Sequence, residues 1–276
     1  MKTRFAPSPT GFLHIGNIYS AYQCQDWARK NHAKLILRIE DIDHTRCRPP
    51  FSQAIITDLT WLGFTWDEET LYQQSRKLAY QQALQKLKNL ELIYPCTCTR
   101  AQIKKTLENH QKTYPYADPY QGTCRENKHS HATQNVAWRL NIHKAMQHIN
   151  KPLYWYDYLG KKHPVHAQEY GDVILARKDI GTSYHLAVVI DDAFQQITHV
   201  IRGQDLESFT GIHRILQALL DLPSLSYTHH GLLYAPNDEK WSKQDKAPSI
   251  QKWRSQGWDA AHIRHYIDSL GSRHEH

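Results

Sequence analysis

The stretch Arg4-Phe5-Ala6-Pro7-Ser8-Pro9-Thr10-Gly11-Phe12-Leu13-His14-Ile15-Gly16-Asn17 leaves a chain few ways to fold. A short apolar edge enters a loop that Pro7 and Pro9 stiffen, because proline fixes φ, and that Gly11 releases by admitting a tight turn. His14-Ile15-Gly16-Asn17 then opens a long helical pattern. The whole reads as a rigid bend between a strand and a helix. A helix N-terminus presents unpaired N–H groups and partial positive charge, which suits a phosphate. A His and a small Gly at that point would let a nucleotide lie close against the backbone. An ordinary strand–turn–helix connection with a solvent-facing His explains the stretch equally well, so other residues must decide.

Those residues lie downstream. Lys240-Trp241-Ser242-Lys243-Gln244 is a compact cationic motif. Between it and the N-terminus come Arg38-Ile39-Glu40-Asp41-Ile42-Asp43, then Tyr184 ahead of Ala187-Val188-Val189-Ile190-Asp191-Asp192, then Val200-Ile201-Arg202-Gly203-Gln204-Asp205. With these in consistent order over nearly its whole length, the chain resembles the class I aminoacyl-tRNA synthetases. Residues 14–17 and 240–244 match the family's HIGH and KMSKS signatures. Arg4-Phe5-Ala6-Pro7-Ser8-Pro9-Thr10-Gly11 carries the wording of the glutamyl branch, and the chain is most similar to that branch's short, stand-alone glutamyl-queuosine tRNA(Asp) group. Asn17 replaces the final His of HIGH, and Trp241 replaces the usual Met or Leu of KMSKS. The glutamyl branch is loose at both positions, and neither change removes a charged group.

The totals agree with a soluble enzyme. A chain of 276 residues with 40% hydrophobic and 11% aromatic content can bury a real core. Its formal charge of +7, with 19 His besides, points to a polyanionic partner. No apolar run approaches the ~20 residues that span a bilayer, so no membrane partner is expected, and there is no apolar signal region. Five Cys are too few and too uneven for a disulfide framework, which suggests a reducing, cytoplasmic setting.

In chain order, Ile18 to Asn31 follows the helical period, with Cys24 as a small core residue, and Leu35–Ile39 is an apolar run that reads as a buried strand. Strand, helix and strand open a βαβ unit of a parallel sheet, whose ligands sit beyond the carboxyl ends of the strands. Pro7–Asn17 and Glu40 both fall there. Asp41 and Asp43 read as loop acids paired with Arg46 and Arg48. Helices are expected over Ser52–Leu62, Arg76–Leu92 and Ser208–Leu220, and strands over 172–177 and 197–202. Short β-rich runs between Asn135 and Tyr158 suggest one small sheet completing an insertion. Leu186–Ile190 looks like a strand by β-branching, whereas the resemblance implies a helix, which is adopted. The expected fold is α/β: a Rossmann-type parallel-sheet nucleotide-binding catalytic domain, with an inserted zinc-containing α+β subdomain and a short helical C-terminal tail. The divisions fall at 1–95 and 166–230 for the catalytic halves, 96–165 for the insertion, and 231–276 for the KMSKS-like loop and tail. With 33 residues beyond Lys243, no anticodon-binding domain is expected.

Three of the five Cys fall in Cys96-Thr97-Cys98 and Cys124, flanking a polar, Tyr-rich segment that would bury little by itself. Thiolates bind Zn²⁺ tightly and four ligands close a structural site, so a single zinc would staple such an insertion. For the fourth ligand His110 and His129 are chemically ordinary choices. The family pattern resembles Cys-x-Cys, then Tyr, then Cys four residues later, and it carries over Tyr120.

The resemblance implies activation of L-glutamate by ATP with Mg²⁺. His14 and Lys243 would act on the phosphates as the catalytic pair, with Gly16, Asn17, Lys240 and Ser242 shaping the ATP site. Arg4 and Arg202 would grip carboxylates, Glu40 would hold the ammonium, and Ser8 and Tyr184 would complete the glutamate pocket. The stand-alone group implies transfer to the queuosine base in the anticodon of tRNA(Asp), by a monomer. An enzyme charging tRNA(Glu) is the alternative within the family. A cofactor nucleotidyltransferase would lack the Arg4–Pro9 wording and the inserted cysteines, and a non-catalytic RNA-binding module would not require Lys240, Ser242 and Lys243.

Overall fold

The computed structural model describes residues 1–99, 101–103, 120, 122–125, 136–233 and 248–271. The chain divides into two compact units, Met1–Ser75 with Ile197–Glu207 and Tyr227–His276, and Arg76–Gln196 with Ser208–Ser226. The first unit begins with β1 (Lys2–Phe5), α1 (Ile15–Lys30), β2 (Lys34–Ile39), α2 (Pro49–Trp61) and β3 (Leu71–Tyr72). The second continues with α3 (Lys77–Asn89), β4 (Ile93–Cys96), β5 (Ala137–Leu140), α4 (Ile142–Ile149), β6 (Tyr154–Asp157), β7 (Lys162–Pro164), β8 (Ile174–Ala176) and α5 (Tyr184–Phe194). The chain returns to the first unit for β9 (His199–Gly203), to the second for α6 (Thr210–Leu220), and ends with β10 (Ser226–His230), α7 (Ile250–Ser255) and α8 (Ala260–Gly271).

In the first unit the expected parallel sheet is present. β1 pairs with β2 in register Lys2↔Lys34 to Phe5↔Leu37, and β2 pairs in parallel with β3 through Arg38↔Leu71 and Ile39↔Tyr72. Thr198, just ahead of β9, accepts from and donates to the backbone of Lys2. Parallel strands must be covered on both faces, and β2 accordingly reads Leu35-Ile36-Leu37-Arg38-Ile39 with every residue buried. The core gathers Ile15, Ile18, Ala21, Cys24, Leu37, Ile39, Ile55, Leu59 and Ile201, with Ile250, Trp253, Ile263 and Ile267 from the last two helices. Cys24 is fully buried, and burial pushes its thiol up to about 12, as suits an inert core residue. Arg264 of α8 clasps Asp26 of α1 through Nη1 and Nη2, at 3.2 and 2.9 Å.

The second unit packs α3, α4, α5 and α6 around Leu87, Leu140, Leu175, Leu186, Ile212, Ile215 and Leu216. The adopted helical reading of Leu186–Ile190 holds: Ser183 caps α5 by accepting from the Leu186 N–H, and Leu186 to Val189 are all buried. Tertiary packing overrides the β-branched propensity here. The single small sheet expected between Asn135 and Tyr158 is not formed. β5 pairs antiparallel with β4 and β8, whereas the Tyr154–Asp157 run pairs with β7. Between them lies α4, capped by Asn141 accepting from Lys144 N–H and closed by Asn150 in the left-handed region at φ 49°. α6 starts at Thr210 behind a 3₁₀ turn over Gln204–Phe209, not at Ser208. None of the described helices is long and apolar enough to cross a membrane.

Candidate active site

His14 is the N-cap of α1. Its Nδ1 accepts from the Gly16 N–H at 3.2 Å, and its own N–H donates to Asn17 Oδ1 at 3.2 Å, a reciprocal capping box. Because Nδ1 is the acceptor, a neutral ring carries its proton on Nε2 and is a donor there. Asn17 therefore has a structural reason to be where it is: an amide oxygen at the third helical position satisfies the N-cap N–H. The next segments are braced to the same end of the sheet. Glu40 N–H donates to Pro7 O at 3.0 Å and Arg48 N–H to Pro9 O at 3.1 Å, so the exposed Ser8 sits in a loop tied to the residue that follows β2. Ile250 N–H donates to Leu13 O at 3.0 Å, and Ser249 forms a β-bridge with His14. The motif residues Lys240, Trp241, Ser242, Lys243 and Gln244 lie outside the described residues.

Two buried arginines come from neighbouring strands of this unit. Arg4 of β1 donates to the carbonyl of Ile201 at 3.4 Å, and Arg202, the next residue of β9, donates to His229 Nε2 at 3.4 Å with its guanidinium 5.4 Å from the Tyr227 ring. Glu40 is buried and its Oε1 takes a hydrogen bond from the fully buried Arg38 at 3.1 Å. Arg38 is thus the partner that orients Glu40, a contact the motifs do not announce. The signal lay in the spacing, since positions two apart on a strand share a face. Asp43 behaves as expected, accepting from Arg46 at 2.8 Å, and it also accepts from the Thr45 hydroxyl at 2.6 Å. Asp41 is used differently: its Oδ1 accepts from the Gln74 N–H at 2.8 Å, and Arg48 donates instead to the carbonyls of His44 and Cys47. Asp41, Cys47, Ser52, Tyr72 and Gln74 line an open cleft of about 250 Å³ just beyond the carboxyl ends of β2 and β3, where ligands of parallel sheets are held.

Tyr184 belongs to the second unit, at the first turn of α5. Its ring meets those of His185 at 5.6 Å, His213 at 5.5 Å and Phe209 at 6.3 Å, all edge-on, and His185 Nδ1 and His213 Nε2 are 3.2 Å apart. Asp191 of the Asp191-Asp192 pair is fully buried, bound by Tyr80 at 2.5 Å and Arg76 at 3.2 Å, and so locks α5 to α3.

The same unit brings the cysteines together. The Sγ atoms of Cys96, Cys98 and Cys124 lie within 4.8 Å of one another, with Cys98 and Cys124 at 3.4 Å. The Tyr120 hydroxyl is 3.3 Å from Cys98 Sγ and accepts from the Cys124 N–H at 2.9 Å. Metal–sulfur bonds of ~2.3 Å in a tetrahedron put sulfurs a little under 4 Å apart, so three thiols and a phenol at these spacings fit one metal ion. His110 and His129 lie outside the described residues. Burial raises the Cys98 thiol to about 11. At Cys124 burial also disfavours ionisation, but hydrogen bonds from Tyr120 and the Thr97 backbone outweigh it and bring the thiol down to about 7.

Asp172 fastens this cluster, and no spacing in the sequence announces it. Its buried carboxylate accepts from Tyr94, two residues before Cys96, at 2.5 Å, from both Nε and Nη2 of Arg125, beside Cys124, at 2.5 and 2.7 Å, and from the Ile142 N–H at 3.0 Å. Its N–H donates to Tyr120 O, and its carbonyl accepts from Arg139, whose guanidinium lies 3.9 Å over the Tyr120 ring. Gly122, at φ +89°, is what lets Arg125 reach: a Cβ there would stand 2.4 Å from Arg125 Nε.

Comparison with known proteins joins these parts. Residues 1–276 match the family model described as tRNA synthetases class I (E and Q), catalytic domain. A chain from Rhodobacter capsulatus named Glutamyl-Q tRNA(Asp) synthetase is 39% identical, over 97% of this chain and 99% of that one. The Glutamate–tRNA ligase of Aquifex aeolicus is 33% identical over 98% of this chain and 57% of its own length. Among solved structures, a glutamate tRNA ligase from Elizabethkingia meningosepticum, in complex with its amino acid, superposes with a TM-score of 0.72 at 25% identity, over 89% of this chain and 52% of that one. The present chain thus spans about half the length of that ligase and nearly all of the Rhodobacter chain. With a parallel sheet, a capped His14-Ile15-Gly16-Asn17 helix and a full-length family match, the chain belongs to the class I (E and Q) tRNA synthetase catalytic-domain family.

Proposed function

We propose that the chain activates L-glutamate with ATP and transfers it to the queuosine base in the anticodon of tRNA(Asp). The observation that carries this reading is the 39% identity, end to end, with a chain bearing the name Glutamyl-Q tRNA(Asp) synthetase. In the first half-reaction an α-carboxylate oxygen of glutamate attacks the α-phosphorus of ATP, the bond to the bridging oxygen breaks, and pyrophosphate leaves. The protein's task is to position the two and to stabilise charge on phosphate oxygens. His14 would donate from Nε2–H to the phosphates, at a helix N-terminus whose Gly16 keeps the backbone accessible. Lys243, with Lys240 and Ser242 fixing their loop, would hold the α- and β-phosphates, and Mg²⁺ accompanying ATP supplies further charge neutralisation. The β-bridge between His14 and Ser249, six residues after Lys243 (249 − 243), supports that pairing of motifs.

Arg4 and Arg202, from adjacent strands, suit planar bidentate recognition of carboxylates. Glu40, oriented by Arg38, would hold the ammonium, and Ser8 and Tyr184 would complete the pocket. In the second half-reaction a hydroxyl of the queuosine cyclopentene ring attacks the adenylate carbonyl, and AMP leaves. One Zn²⁺ held by Cys96, Cys98, Tyr120 and Cys124 would close a four-ligand structural site and staple the inserted segment 96–165.

A second reading has its own support: the 33% identity with a Glutamate–tRNA ligase favours charging of tRNA(Glu). One experiment separates them. Labelled glutamate is offered with tRNA(Asp) carrying queuosine, with the same tRNA lacking it, and with tRNA(Glu). We expect glutamylation only with the first, and it should survive blocking of the tRNA 3′ end. Efficient 3′-end charging of tRNA(Glu) would replace this reading with the second.

A further inference from the structure

We propose that the β6–β7 hairpin is a platform on which unpaired RNA bases stack. Of the eight large hydrophobic residues exposed among the described ones, three fall in this one hairpin: Tyr156 at 41%, Tyr158 at 53% and Leu159 at 76%. Scattered exposed apolar side chains are ordinary, but a cluster marks a contact surface. The cluster is also held still. Asp157 Oδ1 accepts from the N–H groups of Leu159 and Lys161 at 3.0 and 2.9 Å, and Asp157 and Lys161 close the turn through their backbones at 3.1 Å. Beneath, Trp155 stacks on His163 at 4.0 Å with planes 7° apart, and Arg214 of α6 donates to Tyr154 O at 3.1 Å. A rigid turn that exposes a tyrosine and a leucine is preorganised for a partner.

Charge says which kind. The register sets Tyr154 and Tyr156 on one face with Lys162 opposite Tyr156, and Lys162 Nζ lies 3.6 Å over the Tyr154 ring. Lys151, Lys161 and Lys162 are exposed. The one carboxylate between residues 150 and 166, Asp157, is engaged by the turn and by His163 at 3.1 Å. Aromatic rings between lysines that form no ion pair among the described residues suit a nucleic acid strand, with lysines on phosphates and rings on bases. Paired RNA hides its base faces, so exposed tyrosines select unpaired nucleotides such as those of a loop. This identification of the partner rests on the reading of the chain as an enzyme acting on an anticodon loop.

The test uses the full chain and two variants, Tyr156→Ala/Tyr158→Ala/Leu159→Ser and Lys161→Ala/Lys162→Ala. Affinities are measured by fluorescence anisotropy for a labelled tRNA(Asp) anticodon stem-loop and for the same stem as a blunt duplex. The aromatic variant should bind the stem-loop about tenfold or more weakly, since stacking on one ring is worth about that factor, and bind the duplex as the parent does. The lysine variant should lose affinity for both and lower the salt slope by about two. Glutamate-dependent pyrophosphate exchange should be unchanged in both. Parent-like stem-loop affinity in the aromatic variant overturns the proposal, as does an equal loss on stem-loop and duplex. It is also overturned if the parent sediments as a dimer that the aromatic variant splits without loss of RNA affinity, which would make the hairpin a contact between copies. Absence of exchange in the parent would sink the activation reading, while the binding comparison would still decide this one.

Discussion

His14 is committed twice over at the N-terminus of α1, and that commitment fixes its chemistry. With Nδ1 accepting from Gly16 N–H, a neutral ring would meet a phosphate only as an Nε2–H donor, not as a base. The lysine of the second motif is then asked for the charge. Lys243→Ala should leave a folded protein in which glutamate-dependent pyrophosphate exchange falls by ~10²–10³-fold, the loss typical of one preorganised donor at developing charge. Near-normal exchange would remove Lys243 from the mechanism. Asp58 of α2 makes a different prediction. It is buried, its Oδ2 has no hydrogen-bond partner among the described residues, and burial raises its carboxyl from 3.8 to about 6 against the pull of Arg254. The folded chain therefore keeps a proton that the unfolded chain has released between about pH 4 and 6, and stability declines as pH rises through that window. Asp58→Asn should raise the melting temperature by about 2–4 °C at pH 8 and by about half as much at pH 5, as scanning calorimetry will show. An equal shift at both pH values would mean that the charge is not responsible.

At the scale of elements, the cysteine cluster is assembled from two separate pieces of chain, 96–98 and 120–124, and Asp172 ties them. Tyr94 leads into Cys96, Arg125 follows Cys124, and Tyr120 is gripped through its own carbonyl. Replacing Asp172 by Ala would strand Arg125. We expect a loss of about 2–3 kcal/mol in a denaturant titration, below the range for a fully buried pair because the Arg125 side chain is 31% exposed. The same variant should give up zinc to a chromophoric chelator more readily than the parent while still binding one equivalent. Cys96→Ser/Cys124→Ser, by contrast, should purify with little zinc, and unchanged metal content in that double variant would refute the ligand set.

For the whole molecule, the prediction concerns where glutamate ends up. A chain of net charge +7 that belongs to a tRNA synthetase family needs a phosphate backbone to grip, and log affinity for tRNA should fall linearly with log salt. Within that electrostatic background, the base that accepts glutamate must be chosen by contacts. Omitting queuosine from tRNA(Asp) should abolish labelling while weakening binding by no more than about tenfold, because most of the affinity comes from phosphates. Loss of binding in step with loss of labelling would mean that queuosine is needed for capture and not only as the acceptor.

Much of this was legible in the residues. Pro7, Pro9, His14, Gly16 and the apolar Leu35–Ile39 run specify strand, bend, helix and buried strand through local dihedral limits and burial pattern, which need no knowledge of the rest of the chain. The order of the motifs gave the family. Other features depended on partners distant in sequence. Nothing local makes Val188-Val189-Ile190 helical; the Ser183 cap and the packing of α5 on its unit's core do. Nothing local separates the β-rich runs around Trp138 and Trp155 into different pairings, because strand partners are chosen by long-range ladders. Asp172 carries no motif at all. Its importance exists only where four polar groups from residues 94, 125 and 142 converge on one carboxylate, and convergence in space is what a linear string of residues leaves unwritten.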